Sequence, residues 1–234
     1  MQKTKHLLFI CAFISIVGWG PFTFLTDNVS NNPMEDSSEW VTKEAKIINR
    51  QAGNFNLEAI KVGLTAYQKA RQQGLDDKKL LTIIDYSKSS RDRRLLVFDM
   101  NSQKVLFNTW VAHGKNSGGE NATSFSNSSR SLKSSLGVFV TSDIYSGKHG
   151  TSLRVQGLEP GINDNAYRRD IVFHSAAYVS EDVAKERGMV GRSWGCMAVD
   201  PNTIKPLINT IKGKTLVVAY YPDDNWLKNS SFLT

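Results

Sequence analysis

Two nucleophiles stand three positions apart in the segment FHSAAYVSEDVAKERGMVGRSWGCMAVDP, residues 173–201: Ser193 and Cys196. One histidine, His174, precedes both. Gly191-Arg192-Ser193-Trp194-Gly195 has the form G-x-S-x-G, a nucleophile elbow that needs a helix directly behind it and a catalytic histidine later in the chain. Here His174 is the last histidine, and Cys196 to Val199 reads as a short strand closed by Pro201, so Ser193 lacks both. Cys196 requires less, because a thiol becomes a thiolate with only a nearby base. His174 ends the strand-like run Ile171 to Phe173 and would lie beside Cys196 in a sheet. Gly195 permits a sharp turn, in which the amides of Trp194, Gly195 and Cys196 would converge on a developing oxyanion. Nucleophile, base and electrophilic pocket thus fall within one segment, and the chemistry they predict is acyl transfer through sulfur.

The same residues carry a resemblance. The segment resembles the L,D-transpeptidase catalytic domain of the YkuD type, whose signature is a histidine, a loop and an [S/T]-H-G-C turn. His174-Ser175 match the histidine and its neighbour; Ser193, Gly195 and Cys196 match the turn. SSLGVFVTSDIY (134–145), GKHGTSLRVQGLEPGINDNA (147–166) and GRSWGC are similar to the second YkuD-type subfamily, over about Leu80 to Tyr221. The resemblance implies that the Cys196 thiolate attacks the carbonyl between an L-centred diamino acid and the following D-residue of a peptidoglycan stem. His174 would take the thiol proton, and the Ser175 carbonyl would hold its other ring nitrogen. An amine acceptor gives a cross-link; water gives an L,D-carboxypeptidase.

Three departures from the family pattern stand out. Trp194 replaces the turn's second histidine. The interval from His174 to Cys196 is 22 positions, longer than usual, which implies a larger lid-like loop. Met197 and Ala198 stand where an Arg or Asn usually follows the cysteine, leaving Arg192 as the nearest candidate to bind a substrate carboxylate. Tyr145 and His149 are further candidate substrate-binding residues. Tyr145 would offer its hydroxyl to the oxyanion or cap a strand, and His149 is the next base to consider after His174.

The elements that must position these residues are mostly strands. LLTIIDY, RLLVFDM, KVLFNTWVA, LGVFVTSDIY, SLRVQGL, RDIVFHSA and TLVVAYY are short β-rich runs between turn-forming clusters, with a Ser/Asn/Gly-rich loop from Gly114 to Ser135. Helical patterns cover Glu39 to Gln51, Leu57 to Gln73, Ser180 to Arg187 and Pro201 to Ile211. Many strands with few crossovers predict a mainly β (α+β) fold with marginal helices, arranged as a YkuD-like sandwich or barrel. The predicted organisation is an export signal or anchor (1–25), a polar linker (26–38), an N-terminal helical segment (39–79), the catalytic domain (80–221) and a C-terminal tail (222–234).

Composition sets the surroundings. The chain has 234 residues, 40% of them hydrophobic, with 11 Phe, 7 Tyr and 5 Trp, which excludes a solvated coil. Lys3, Lys5 and His6 precede the apolar run Leu7 to Val17, the order of an export signal, so the protein is expected in the periplasm or envelope, with a possible tether in the inner membrane. Outside that segment Cys196 stands alone, and in an oxidising compartment it has no internal disulfide partner. The net charge of +7 suits an anionic partner, here read as peptidoglycan stem peptides and not nucleic acid. No metal or organic cofactor is expected; a zinc set of His113, His149, His174 and Cys196 has no short ligand spacing. His113 reads as a loop or packing residue, Trp40 and Tyr67 as packing residues, and Arg154, Arg168 and Arg169 as solvated strand-edge charges.

Overall fold

The computed structural model describes residues 37–53 and 55–234. The predicted export segment, 1–25, and nearly all of the polar linker lie outside them. Helix α1, Ser37–Ala52, buries Val41, Ala45, Ile48 and Ala52 at helical spacing. Helix α2, Leu57–Gln72, starts behind Asn56, whose side chain accepts from the Glu58 amide at 3.0 Å, and ends ahead of Gly74 at φ +68°. The two helices pack on each other, α1 also on β3 and α2 on β1 and β8.

The strands are β1 (Leu80–Asp85), β2 (Leu95–Asp99), β3 (Lys104–Thr109), β4 (Gly137–Gly147), β5 (Gly150–Gly157), β6 (Val172–Ser175), β7 (Met197–Val199) and β8 (Leu216–Tyr220). They form one eight-stranded sheet in the order β3-β2-β1-β8-β4-β5-β6-β7. Pairing is antiparallel except for β1 with β8 and β6 with β7. The mainly β fold with marginal helices is the one read from the sequence, and its strands join as a single sheet. β1 and β8 are buried at every position because their unbroken apolar runs need cover on both faces. Gly63 of α2 permits the close approach to β1, since a Cβ there would stand 2.7 Å from Ile83 Cδ1.

Helices α3 (Glu181–Arg187) and α4 (Pro201–Ile211) match their sequence patterns, α3 behind the Ser180 cap and α4 behind Asp200. The N-terminal helices and the sheet share one hydrophobic core. Residues 222–234, read as a tail, carry a further helix, α5 (Asp224–Asn229), with Trp226 and Phe232 buried in that same core. Glu159, 2% exposed, holds this segment: it accepts from Trp226 Nε1 at 3.1 Å, from Ser230 Oγ and from the Val138 amide at 2.6 Å.

At the other end of the sheet, β4 and β5 are longer than expected. Both run through GKHGT to a two-residue tip, Lys148-His149, with Gly147 paired to Gly150. This hairpin, the short β6 and β7, and the crossover that joins them frame the chemistry.

Candidate active site

β6 and β7 run parallel with His174 opposite Ala198. Cys196 stands two positions before Ala198, so the pleat puts its side chain on the face that carries His174. Both line one cleft of about 660 Å³.

The turn that presents the thiol is fixed from three sides. Ser193, 3% exposed, donates its hydroxyl to the Cys196 carbonyl at 2.7 Å and accepts from the Gly195 amide at 3.1 Å. Its own amide donates to the His113 carbonyl at 2.9 Å, and its carbonyl accepts from Lys115 at 2.8 Å. Gly195 has φ +117°, and a Cβ there would lie 2.7 Å from the Lys133 carbonyl, so backbone conformation and close approach both require glycine. Of the three amides expected to converge on an oxyanion, that of Gly195 is therefore engaged by Ser193. The Cys196 thiol donates to the Asp170 carbonyl at 3.3 Å.

His174 is buried, and its Nδ1–H donates to the Ser175 carbonyl at 2.9 Å, which leaves Nε2 as the acceptor. The His149 ring, from the hairpin tip, stacks on it with centroids 4.5 Å apart and planes 30° apart. Burial holds the His174 pKa below the ordinary histidine range; the bond to Ser175 opposes this, and His149 and Lys148 add to it. Burial likewise raises the Cys196 pKa, with the Val172 amide opposing it, the Asp170 carboxylate adding to it, and Arg169 and Lys148 opposing it. At rest both surroundings favour neutral thiol and neutral imidazole.

Of the site residues read from the sequence, the cleft is lined by Tyr145, His149, His174, Arg192, Trp194 and Cys196, while Ser175 contributes through its carbonyl. Tyr145 lies under the Arg154 guanidinium, 4.7 Å from ring centroid to Cζ. Arg154 is itself paired to Asp170 at 2.7 Å. Trp194 is 66% exposed at the rim, with Lys148 Nζ 5.2 Å from its ring centroid. Arg192 lines the cleft but commits Nη1 to the carbonyls of Lys115 (3.2 Å) and Gly118 (2.9 Å). His113 holds the turn through its carbonyl but does not line the cleft: its ring is fully buried and its Nδ1 accepts from Arg94 Nη2 at 2.8 Å. Among the described residues no group of three His, Cys, Asp or Glu side chains is placed to hold a metal ion.

Two cleft residues contradict their sequence reading as solvated edge charges, and Arg154 is one of them: it is half-buried, paired to Asp170 and set over the Tyr145 ring. Arg169 is not a solvated edge charge but is half-buried, lines the cleft and is bound to the 126–135 loop by four hydrogen bonds. Its partners lie some forty positions upstream, so no local pattern marks it. Asp170, at φ 54°, was likewise unmarked; that bend presents its carbonyl near the sulfur.

The chain matches the L,D-transpeptidase catalytic domain family over residues 51–220, a span that begins inside α1. No curated protein matches it. Among solved structures, an LD transpeptidase, LdtMt1, in complex with imipenem is similar at 12% identity and a TM-score of 0.37, over 62% of this chain and 68% of that one. An L,D-transpeptidase from Mycobacterium smegmatis is similar at 12% identity and a TM-score of 0.35, over the same shares, 62% and 68%.

Proposed function

The chain belongs to the L,D-transpeptidase catalytic domain family, and on that premise we propose that it is a cell-envelope acyltransferase working on peptidoglycan stem peptides through a Cys196 thioester. The observation that carries this reading is the shared cleft of Cys196 and His174, with Nδ1 of His174 fixed by the Ser175 carbonyl and Nε2 left to accept. The carbonyl takes the place of the carboxylate in a conventional triad: it sets the tautomer without adding a negative charge.

In the proposed reaction the S–H bond breaks as His174 Nε2 takes the proton, and the sulfur attacks the carbonyl that follows the L-centre of the diamino acid. The tetrahedral oxyanion is assigned to the amides of Trp194 and Cys196, since that of Gly195 is bonded to Ser193. Collapse expels the D-residue amine, which takes the proton back from His174 and leaves a thioester. An acceptor amine then completes a cross-link; water in its place completes an L,D-carboxypeptidase reaction. The cleft suits a substrate rich in carboxylates, because Lys148, Arg154, Arg169 and Arg192 line it against the single acid Asp170. Placement outside the inner membrane, by a cleaved or retained segment 1–25, belongs to the same reading.

The test is mass spectrometry of the purified protein incubated with a disaccharide tetrapeptide. An acyl-enzyme on Cys196 and dimeric products support the transferase; shortened stems without dimers identify the hydrolase. A folded protein that forms no adduct would leave the alternative, a peptidoglycan-binding protein with an inert thiol.

A further inference from the structure

The resting site described above is poorly suited to making a thiolate. The Asp170 carbonyl at 3.3 Å accepts the thiol proton, burial disfavours the anion, and His174 is too buried to become an imidazolium readily. Something in the cleft must favour negative sulfur, and the candidates are its cations.

Arg154 is neutralised by Asp170 at 2.7 Å. Arg192 and Lys148 are exposed, and water screens their fields. Arg169 differs from all three. Its Nη1 donates to the Ser126 carbonyl at 2.6 Å and to Ser135 Oγ; its Nη2 donates to Ser131 Oγ at 3.1 Å and to the Lys133 carbonyl at 2.7 Å. All four terminal N–H groups thus go to uncharged oxygens; Arg169 lines the same cleft as Cys196, and the carbonyl of the adjacent Asp170 is the one that accepts from the thiol at 3.3 Å. A half-buried guanidinium paired only with neutral groups is costly to maintain. With its terminal donors committed, it has no free fork for a substrate carboxylate. What it retains is a permanent charge, fixed in position.

We propose that Arg169 is the fixed counter-charge of the Cys196 thiolate, held in place by the 126–135 loop so that the sulfur ionises in a buried turn. The inference rests on the reading of Cys196 as the nucleophile and extends it. When the S–H bond breaks, the electron pair stays on sulfur and the proton forms N–H on His174 Nε2; Arg169 gains and loses nothing. Besides Arg154 and Arg192, the charged or titratable groups around the pair are Asp170 ahead of β6, Tyr145 on β4, Lys148 and His149 at the hairpin tip, Tyr178 in the crossover and Tyr86 behind the turn. Arg169 is a positioning residue in this scheme, acting on the reacting atom through its field.

The experiment is the pH dependence of Cys196 alkylation by iodoacetamide, followed on the Cys196 peptide by mass spectrometry in the full chain. Arg169→Gln removes the charge and keeps part of the hydrogen bonding. Ser131→Asp keeps Arg169 and sets a carboxylate against Nη2, cancelling the charge in place. Both variants are expected to move the labelling midpoint alkaline by about one pH unit, a roughly tenfold slower labelling below it. Arg169→Lys should stay near wild type, because it keeps the charge without the fork. A wild-type midpoint in either folded charge-cancelling variant overturns the proposal, as does a shift in Arg169→Lys as large as that in Arg169→Gln, which would make the fork and not the charge the working part. If Arg169→Gln fails to fold, Ser131→Asp and Arg169→Lys decide the matter. No peptidoglycan enters the assay, so its failure is distinct from failure of the proposed reaction.

Discussion

The two hydroxyl and thiol candidates of the catalytic turn have different surroundings, and these predict different mutational outcomes. Cys196→Ala should abolish acyl-enzyme formation with an unchanged melting curve, since the side chain contributes one weak hydrogen bond. Ser193→Ala should keep the acyl-enzyme but lower stability by about 1–3 kcal/mol and slow turnover, because a buried carbonyl and a buried amide both lose their partner. A wild-type melting curve for Ser193→Ala, or acylation of the Cys196→Ala variant, would contradict this assignment. For His174, burial lowers the pKa, so the basic form is reached below the ordinary value of about 6.5, and acylation should rise with pH through a midpoint on the acid side of it. His174→Gln should lose on the order of 100-fold in rate. A rate curve for His174→Gln that overlays wild type would remove the residue from the mechanism and make His149 the base to test.

Among the elements, the segment behind the turn imposes its own pH dependence. His113, fully buried against Arg94, has its pKa pushed down to about 4, first by burial and then by the Arg94 charge. The unfolded chain takes up this proton below about pH 6.5 while the folded chain does not until about 4, so stability is full above 6.5 and falls across that window by roughly 3 kcal/mol. Denaturant midpoints from pH 7 to 4 would show the slope. His113→Gln should flatten it, while His174, shifted in the same direction, keeps a residue of it. At the far end, α5 docks through Trp226, so Trp226→Ala should cost about 3–5 kcal/mol, measured by denaturant unfolding, without moving the Cys196 labelling midpoint. The sequence made α4 legible through Asp200, Pro201 and its apolar spacing. It hid α5, which is too short for a period to register and is held by Glu159, whose partners are scattered along the chain. Cys196 and His174 were legible because residue type and a strand pattern locate them. Arg169 was not, since only the folded 126–135 loop distinguishes it from Arg168 beside it.

For the molecule as a whole, charge and topology carry the remaining consequences. A net charge of +7 with a cationic cleft predicts that retention on peptidoglycan sacculi weakens steeply between about 50 and 300 mM salt, as pull-down at graded ionic strength would show. Salt-insensitive retention would place recognition on the aromatic rim, Trp194 and Tyr145, instead. The parallel pairing of β1 with β8 sets Leu81 beside Leu216 at the middle of the sheet. Loop-closure entropy must be met across some two thirds of the described chain, from Leu81 to Leu216, before this central pair forms, so assembly is governed by distant contacts and is slow compared with that of a local meander. A chain delivered N-terminus first therefore cannot complete its sheet until residues 216–220 arrive. Until then β1 pairs with β2 alone and its other edge stays open, so every partly emerged chain carries an unpaired strand edge exposed to mispairing.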